Sequence, residues 1–262
     1  MARSPLQLPA WLHWLDTCSS TNTWAIAHLA SLQHGDVVFT PQQTAGRGQR
    51  GRWHSPEGVL TASFVLEQVP VAQLPIVSLG AGLAVIYAVE DLLPLQGVLR
   101  LKWANDVLLK GRKLAGILCE ASANGSMGRV VVGIGLNRCV DFEQAGLDDN
   151  AIGQAISLHQ VSQVVPDTLL LLERLRHYLL QTAGLLQSKS PDPLVSPGLK
   201  SLLPALRSRD ALLGQPICVE VGNERVAGEA AGISDRGHLL LQLPNGVVRS
   251  FVSGHILWQH RE

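Results

Sequence analysis

The sequence predicts an α+β fold: a mixed-sheet core followed by a small C-terminal SH3-like β-barrel. Three observations predict it. Strand-like and helical segments alternate through residue 212. One apolar stretch, Leu74 to Leu93, has the length and composition of a buried core helix. From Gly214 the character changes to short alternating strands separated by Gly222-Asn223, Asp235-Arg236-Gly237 and Asn245-Gly246. The expected boundaries are 1–212 for the core and 213–262 for the β module, each with its own hydrophobic core.

Trp11 to Asp16 is a strand candidate. Ser19-Ser20-Thr21-Asn22 supplies turn and N-cap residues, and Thr23 to Ser31 continues as a helix. Asp36 to Thr40 reads as a strand. Pro41 to Glu57 reads as a long loop rich in Gly and Arg, and loops of that length in a compact domain usually carry function. Val59 to Leu66 alternates as a strand. The Leu74–Leu93 helix stops at Pro94, which lacks the N–H needed to continue it. Leu99 to Trp103 is strand-like. Val107 to Leu109 and Leu114 to Glu120 flank the turn Lys110-Gly111-Arg112, so 107–120 reads as a β-hairpin. Asn124-Gly125 turns into the strand Val130 to Leu136. Residues 139–165 read as an irregular, partly acidic loop with a short helix. Pro166 to Leu186 is helical in composition, and Lys189 to Pro204, with four prolines, reads as a connector.

Hydrophobic residues make up 46% of the 262 and charged residues 16%, enough for a packed core and unlike a disordered chain. Lys plus Arg and Asp plus Glu each number 21, so no chain-wide basic footprint for nucleic acid exists. Cys18, Cys119, Cys139 and Cys218 form no CxxC pair and read as reduced, buried thiols. The nine histidines show no HExxH or other metal-ligand spacing. Met1 to Trp14 contains no secretory-type apolar run. Ile76 to Val89, 14 residues interrupted by Ser78, Gly80 and Gly82, is too short to cross a bilayer. A soluble cytoplasmic protein is expected, with no membrane partner.

Three constellations carry candidate chemistry. Gly46-Arg47-Gly48-Gln49-Arg50-Gly51-Arg52 combines glycines that let backbone approach a ligand with arginines that bind phosphate or carboxylate in bidentate fashion. Alone, this segment is equally an RG-type nucleic-acid arm or a solvated loop. Lys102-Trp103-Ala104-Asn105-Asp106 leads into the hairpin, where Lys113 follows the turn and can aim an ammonium at a phosphate. Asn105 alone fits a turn closed by its own amide, and a lone Lys113 fits a solvated hairpin residue. Gly133-Ile134-Gly135-Leu136-Asn137 ends an apolar strand with room for close backbone contact. It is not a dinucleotide fingerprint, because the third glycine and following helix are missing. No GxxxxGK[ST] phosphate loop is present.

In order and spacing these segments, with Ser19-Ser20-Thr21-Asn22, Gln43-Thr44-Ala45 and Arg112-Lys113-Leu114-Ala115-Gly116-Ile117-Leu118, resemble the biotin–protein ligase family. Gly232-Ile233-Ser234-Asp235-Arg236-Gly237 resembles that family's C-terminal module. The resemblance spans nearly the whole chain. Each motif is moderately specific; five in order are strongly so. It implies a mixed-sheet core of the biotin/lipoate ligase type. It implies ATP-dependent activation of biotin to biotinyl-5′-AMP, then transfer to a lysine of an acceptor such as a biotin carboxyl carrier protein. ATP and biotin are the implied substrates, with Mg²⁺.

The resemblance also implies roles. Ser20, Thr21, Asn22 and Gln43, with Arg47, Gly48, Gln49, Lys113 and Gly116, are expected to hold biotin. Hydroxyl and amide groups suit a ureido ring, which needs both donors and acceptors. Arg47 and Lys113 are the expected catalytic cations. Arg50, Arg52, Trp53, Lys102, Asn105, Asp106 and Asn137 are expected around ATP or the adenylate. Two departures stand out. The family loop GRGRxGRxW has Gln49 at its fourth position here, and Trp53 comes one residue early. The family's KWPND reads KWAND, with Ala104 expected to loosen the turn. No Trp lies between Trp103 and Trp258, so adenine stacking by 139–165 would use another side chain. Some family members carry an N-terminal DNA-binding domain. Eighteen residues precede Ser19, so a ligase without DNA binding is expected, as a monomer or weak homodimer. A lipoate or octanoate ligase of the related fold is the nearest rival. An RNA-binding protein using the Gly-Arg loop is the second, and zero net charge speaks against it.

Overall fold

The computed structural model describes residues 8–49, 51–146, 148–186 and 197–258. The chain opens with β1 (Leu12–Trp14), α1 (Thr21–Ala27) and β2 (Val37–Thr40). α1 begins two residues earlier and ends four earlier than expected. Ser20 sits at its N-cap in extended backbone, which puts Thr21 and Asn22 in the first turn, where both are buried. Residues 41–57 are not all loop. β3 (Arg47–Gly48) and β4 (Gly51–Arg52) pair antiparallel as a minimal hairpin, Arg47 opposite Arg52.

β5 (Val59–Pro70), α2 (Val77–Leu92), β6 (Leu99–Lys102), β7 (Asp106–Leu109), β8 (Arg112–Asn124) and β9 (Met127–Asn137) follow. The hairpin expected at 107–120 is β7–β8. Its turn places Lys110 at φ +51° and Gly111 at φ +74°, the two positive values a tight hairpin turn requires. α3 (Asp149–Gln154), α4 (Thr168–Leu186) and α5 (Pro197–Ser208) come next. α5 overturns the expectation of a connector reaching Pro204. Leu199, Leu202, Leu203 and Leu206 recur at helical spacing and are all buried, and that period outweighs the proline count. Residues 187–196 of that segment lie outside the described residues.

The first nine strands except β3 and β4 form one seven-stranded sheet in the order β1-β2-β5-β9-β8-β7-β6. β1 and β2 are parallel and every other pair is antiparallel, so the sheet is mixed as expected. Because side chains alternate across a strand, each strand feeds two layers. Leu60, Ala62, Phe64, Val132, Ile134 and Ile117 face α2 and α4 and build the main core. The opposite face meets α1, where Val38, Val65 and Val131 pack on Ala25.

α2 is buried along nearly its whole length. The stretch Val71–Leu92 is long and apolar enough to cross a membrane, yet here it packs as a core helix against α4 and the sheet. Gly82 permits that closeness: a Cβ there would lie 2.3 Å from Leu101 Cδ1.

β10 (Pro216–Val221), β11 (Glu224–Ile233), β12 (Leu239–Gln242), β13 (Val248–Phe251) and β14 (His255–Trp258) form the antiparallel SH3-like module, order β13-β12-β11-β10-β14. Its core is not separate, contrary to expectation. Ile217, Val219, Ile233, Leu239 and Leu241 belong to the same apolar cluster as α2 and the main sheet. Gly237 nestles against Ile76 and Leu79, and Trp103 Nε1 donates to Gly237 O at 3.0 Å. The four cysteines are free, as expected, although each is only partly buried.

Candidate active site

The α1-facing side of the sheet turns polar and bare toward its middle. Register fixes this. Thr61 pairs with Gly135, which pairs with Gly116; Ser63 pairs with Gly133, which pairs with Leu118. Three glycines on β8 and β9, beside the small hydroxyl side chains of β5, leave a hollow where larger side chains would stand. The glycines are obligatory for its contents. A Cβ at Gly133 would sit 2.3 Å from Asn22 Oδ1, and one at Gly135 would sit 2.3 Å from the Trp53 indole.

The hollow is a first cavity of about 450 Å³. Ser20, Thr21, Asn22, Gln43, Arg47, Gly48, Gln49, Lys113 and Gly116 all line it. These are the nine residues expected to hold biotin. Their polar groups are already ordered by one another. Thr21 N donates to Gln43 Oε1 at 2.8 Å, and Gln43 Nε2 donates to Ser55 Oγ at 3.0 Å. Ser63 Oγ lies 2.7 Å from Thr21 Oγ1 and 2.5 Å from Asn22 Oδ1. Asn22 Nδ2 donates to Leu118 O at 3.1 Å and to Glu120 Oε2 at 2.9 Å. Arg47 Nη2 meets Glu120 Oε1 at 2.7 Å.

A second, wider cavity of about 1500 Å³ lies alongside. Arg52, Trp53, Lys102, Asp106 and Asn137 line it, five of the seven residues expected near the nucleotide. Asn105 does not. It lines the first cavity, where its Nδ2 donates to Ile117 O at 2.9 Å and clips the entry of β7 to β8. Arg50 lies outside the described residues. The second cavity also has Arg112, with Phe142 from the loop after β9 and His255 and Trp258 from β14. Phe142 is the aromatic side chain that 139–165 brings to this cavity.

The two cavities share Trp53 and Lys113. Lys113 Nζ stands 2.7 Å from Asp106 Oδ1 and 5.6 Å from the centre of the Trp53 ring. The Asp106 contact is an ion pair rather than a directed hydrogen bond, and it stations the ammonium at the junction. The Trp53 indole N–H is buried and finds no acceptor among the described residues. Lys102 Nζ lies 5.7 Å from the Trp258 ring centre. Burial lowers the Lys102 pKa, opposed by the Asp106 carboxylate and reinforced by the Lys113 ammonium. Among the described residues, Arg52, Lys102, Arg112 and Lys113 against the single carboxylate of Asp106 make this a cationic, aromatic-edged cavity that suits an anion.

In the KWAND turn, Trp103 is tied to Gly237 and Asn105 to Ile117.

Sequence reasoning missed Ser63, Ser55, Glu120, His255 and Trp258. Thr61 and Ser63 were detectable: two hydroxyls alternate in an otherwise apolar strand. Nothing local marks the others, because their roles come from long-range register.

The fold and the paired cavities define an enzyme of the biotin/lipoate ligase class. Residues 14–137 match the Biotin/lipoate A/B protein ligase family, and residues 212–257 match the Biotin protein ligase C terminal domain. The biotin–[acetyl-CoA-carboxylase] ligase of Mycobacterium tuberculosis is 34% identical over 86% of this chain and 80% of its own. The ligase of the same name from Paracoccus denitrificans is 32% identical over 87% of this chain and 92% of its own. The biotin protein ligase of Aquifex aeolicus, solved with biotin and ATP, superposes with TM-score 0.76 at 25% identity, covering 95% of this chain and 99% of that one. This chain belongs to the biotin protein ligase family.

Proposed function

We propose that the protein activates biotin with ATP to biotinyl-5′-AMP and transfers the biotin to a lysine of an acceptor protein. One observation carries this reading: all nine residues expected to hold biotin line a single cavity, which meets a cationic cavity at Lys113. The first cavity takes biotin, the second the nucleotide. Residues 1–212 form the catalytic core and 213–262 a C-terminal module, whose Trp258 walls the nucleotide side. A biotin carboxyl carrier protein is the acceptor, the compartment is the cytoplasm, and the chain works as a monomer or weak homodimer.

A biotin carboxylate oxygen attacks the α-phosphorus, and the bond to the β-phosphate breaks to release pyrophosphate. Two anions must meet at the junction. Lys113 and Arg47 offset their repulsion and the charge that grows in the transition state. The orphan Trp53 N–H gives the adenylate one further donor. The acceptor amine then attacks the acyl carbon, AMP leaves, and the amine loses its proton. The Gly-Arg hairpin covers the mixed anhydride against water.

The residues fit a magnesium ion in a limited way. Asp106 is the sole carboxylate lining the second cavity among the described residues, and Asn137 lines it too. Magnesium usually keeps waters and takes one or two carboxylates plus substrate phosphates, so Asp106 and Asn137 would hold it. When bound, it supplies charge neutralisation on the phosphates.

The test is incubation with ATP, Mg²⁺, biotin and a carrier domain, read as the mass gain of the carrier. Biotinylation is expected. Lys113→Ala should lower biotin-dependent pyrophosphate exchange by about 10²–10³-fold, the usual cost of one transition-state donor. Exchange with lipoate and none with biotin would move the protein to the lipoate ligases.

A further inference from the structure

We propose that Glu120 is a positioning residue for this site: it fixes the Asn22 amide and moors Arg47, and with it the Gly-Arg hairpin, over the first cavity. The inference rests on the biotin reading of that cavity.

Glu120 stands two residues beyond Leu118 on the site face of β8, with 24% of its side chain exposed. Its two oxygens have different partners. Oε2 accepts from Asn22 Nδ2 at 2.9 Å, and Oε1 meets Arg47 Nη2 at 2.7 Å. Asn22 belongs to α1, a fixed wall of the cavity. Arg47 belongs to β3, its covering hairpin. One carboxylate therefore joins wall to cover.

The Asn22 amide has a defined sense. Its Nδ2 donates both protons, to Leu118 O and to Glu120, while Oδ1 lies 2.5 Å from Ser63 Oγ. Flipping it would set Oδ1 against a carbonyl and a carboxylate, which repel it. Glu120 thereby decides that Asn22 keeps an oxygen, with a spare lone pair, beside the empty face of Gly133. That is an acceptor for a ligand N–H.

Arg47 is otherwise loosely held. Its side chain is 47% exposed, and its other contact is a 3.3 Å hydrogen bond to Thr23 Oγ1. A part-exposed ion pair contributes little stability. Its effect here is geometric: it holds one end of the guanidinium and leaves the remaining N–H groups for ligand.

The test uses Glu120→Gln and Glu120→Ala in the full chain, with wild type and Arg47→Ala as references. Glutamine keeps the shape but turns one donor nitrogen toward one of two N–H groups, so one contact is lost. We expect the KM for biotin to rise about tenfold in Glu120→Gln, the value of one charge-assisted hydrogen bond, and further in Glu120→Ala. Release of free biotinyl-AMP should rise alongside. Without any ligand, trypsin should cut after Arg47 and Arg52 faster in Glu120→Ala. In an Arg47→Ala background, Glu120→Ala should add nothing to adenylate release.

If both variants fold, by circular dichroism, with unchanged KM, adenylate release and trypsin rate, the inference fails. Adenylate release that rises equally with and without Arg47 also overturns it, because it shows that Glu120 does not act on the hairpin through Arg47. Wild type that makes no biotinyl-AMP removes the biotin reading instead, and the trypsin comparison still tests the mooring by itself.

Discussion

Cys119 and Glu120 are neighbours in β8 with opposite fates. Glu120 faces the cavity. Cys119, one step along, faces the helices, where burial and to a lesser degree the Glu120 charge push its thiol up to about 12. At pH 8 almost no thiolate exists at such a group, and thiolate is the reactive form. Iodoacetamide should therefore spare Cys119 in the native protein and label it in denaturant, read by peptide mass mapping. Labelling at equal rates in both states would refute the burial. The contrast also marks how far single residues could be read. The biotin candidates were legible because their types sit in ordered motifs. Glu120 was not, since a carboxylate near a strand end does not disclose which loop and helix it will meet. Asn105 shows the reverse case. Its motif suggested the nucleotide and its type a turn closed by its own amide, whereas the contact it makes is a cross-strand donation to Ile117 O.

α2 offers a test of packing in a single element. A small apolar gap, of about 10 Å³, lies where Gly80 faces Thr182, Leu186 and β5. A Cβ at Gly80 would meet Leu186 Cδ1 at 3.4 Å and Leu202 Cδ1 at 3.8 Å, ordinary contact distances. Gly80→Ala should stabilise by about 1 kcal/mol, from helix propensity and partial filling of the void. Thermal unfolding measures it, and a lower Tm would show that the helix cannot accept the methyl. Gly82→Ala is the internal contrast, since its Cβ would collide with Leu101. The long periodic elements were plain in the sequence. α5 was obscured by prolines, whose breaking tendency is local, while its four buried leucines answer to a core that no local pattern contains. The β3–β4 hairpin was hidden for another reason: two-residue strands have no period.

Across the molecule, the C-terminal module is part of the site. Trp103 is 3% exposed and reaches from the KWAND turn to Gly237, while Trp258 borders the second cavity beside Lys102. Trp103→Phe should cost about 1–3 kcal/mol, from a lost hydrogen bond plus unfilled volume. Hydrogen exchange at residues 232–241 should quicken more than in β5 or β9. Uniform quickening would mean that the module and core open together and that the link has no separate role. Composition announced a change of character near residue 214 but not whether the two parts shared a core, because apolar alternation fixes which face is buried and says nothing about what buries it. The registered row of hydroxyls on β5 and glycines on β9 and β8 has a last consequence. Successive positions on one face of a strand lie about 6.6–6.8 Å apart, and a shift of one residue turns every side chain to the other face. The hollow, the Asn22 seat and the cavity junction are thus graduations on one backbone ruler. Evolution can repaint the marks of that ruler by substitution, but a single-residue insertion or deletion in β8 or β9 would misread both ligands at once.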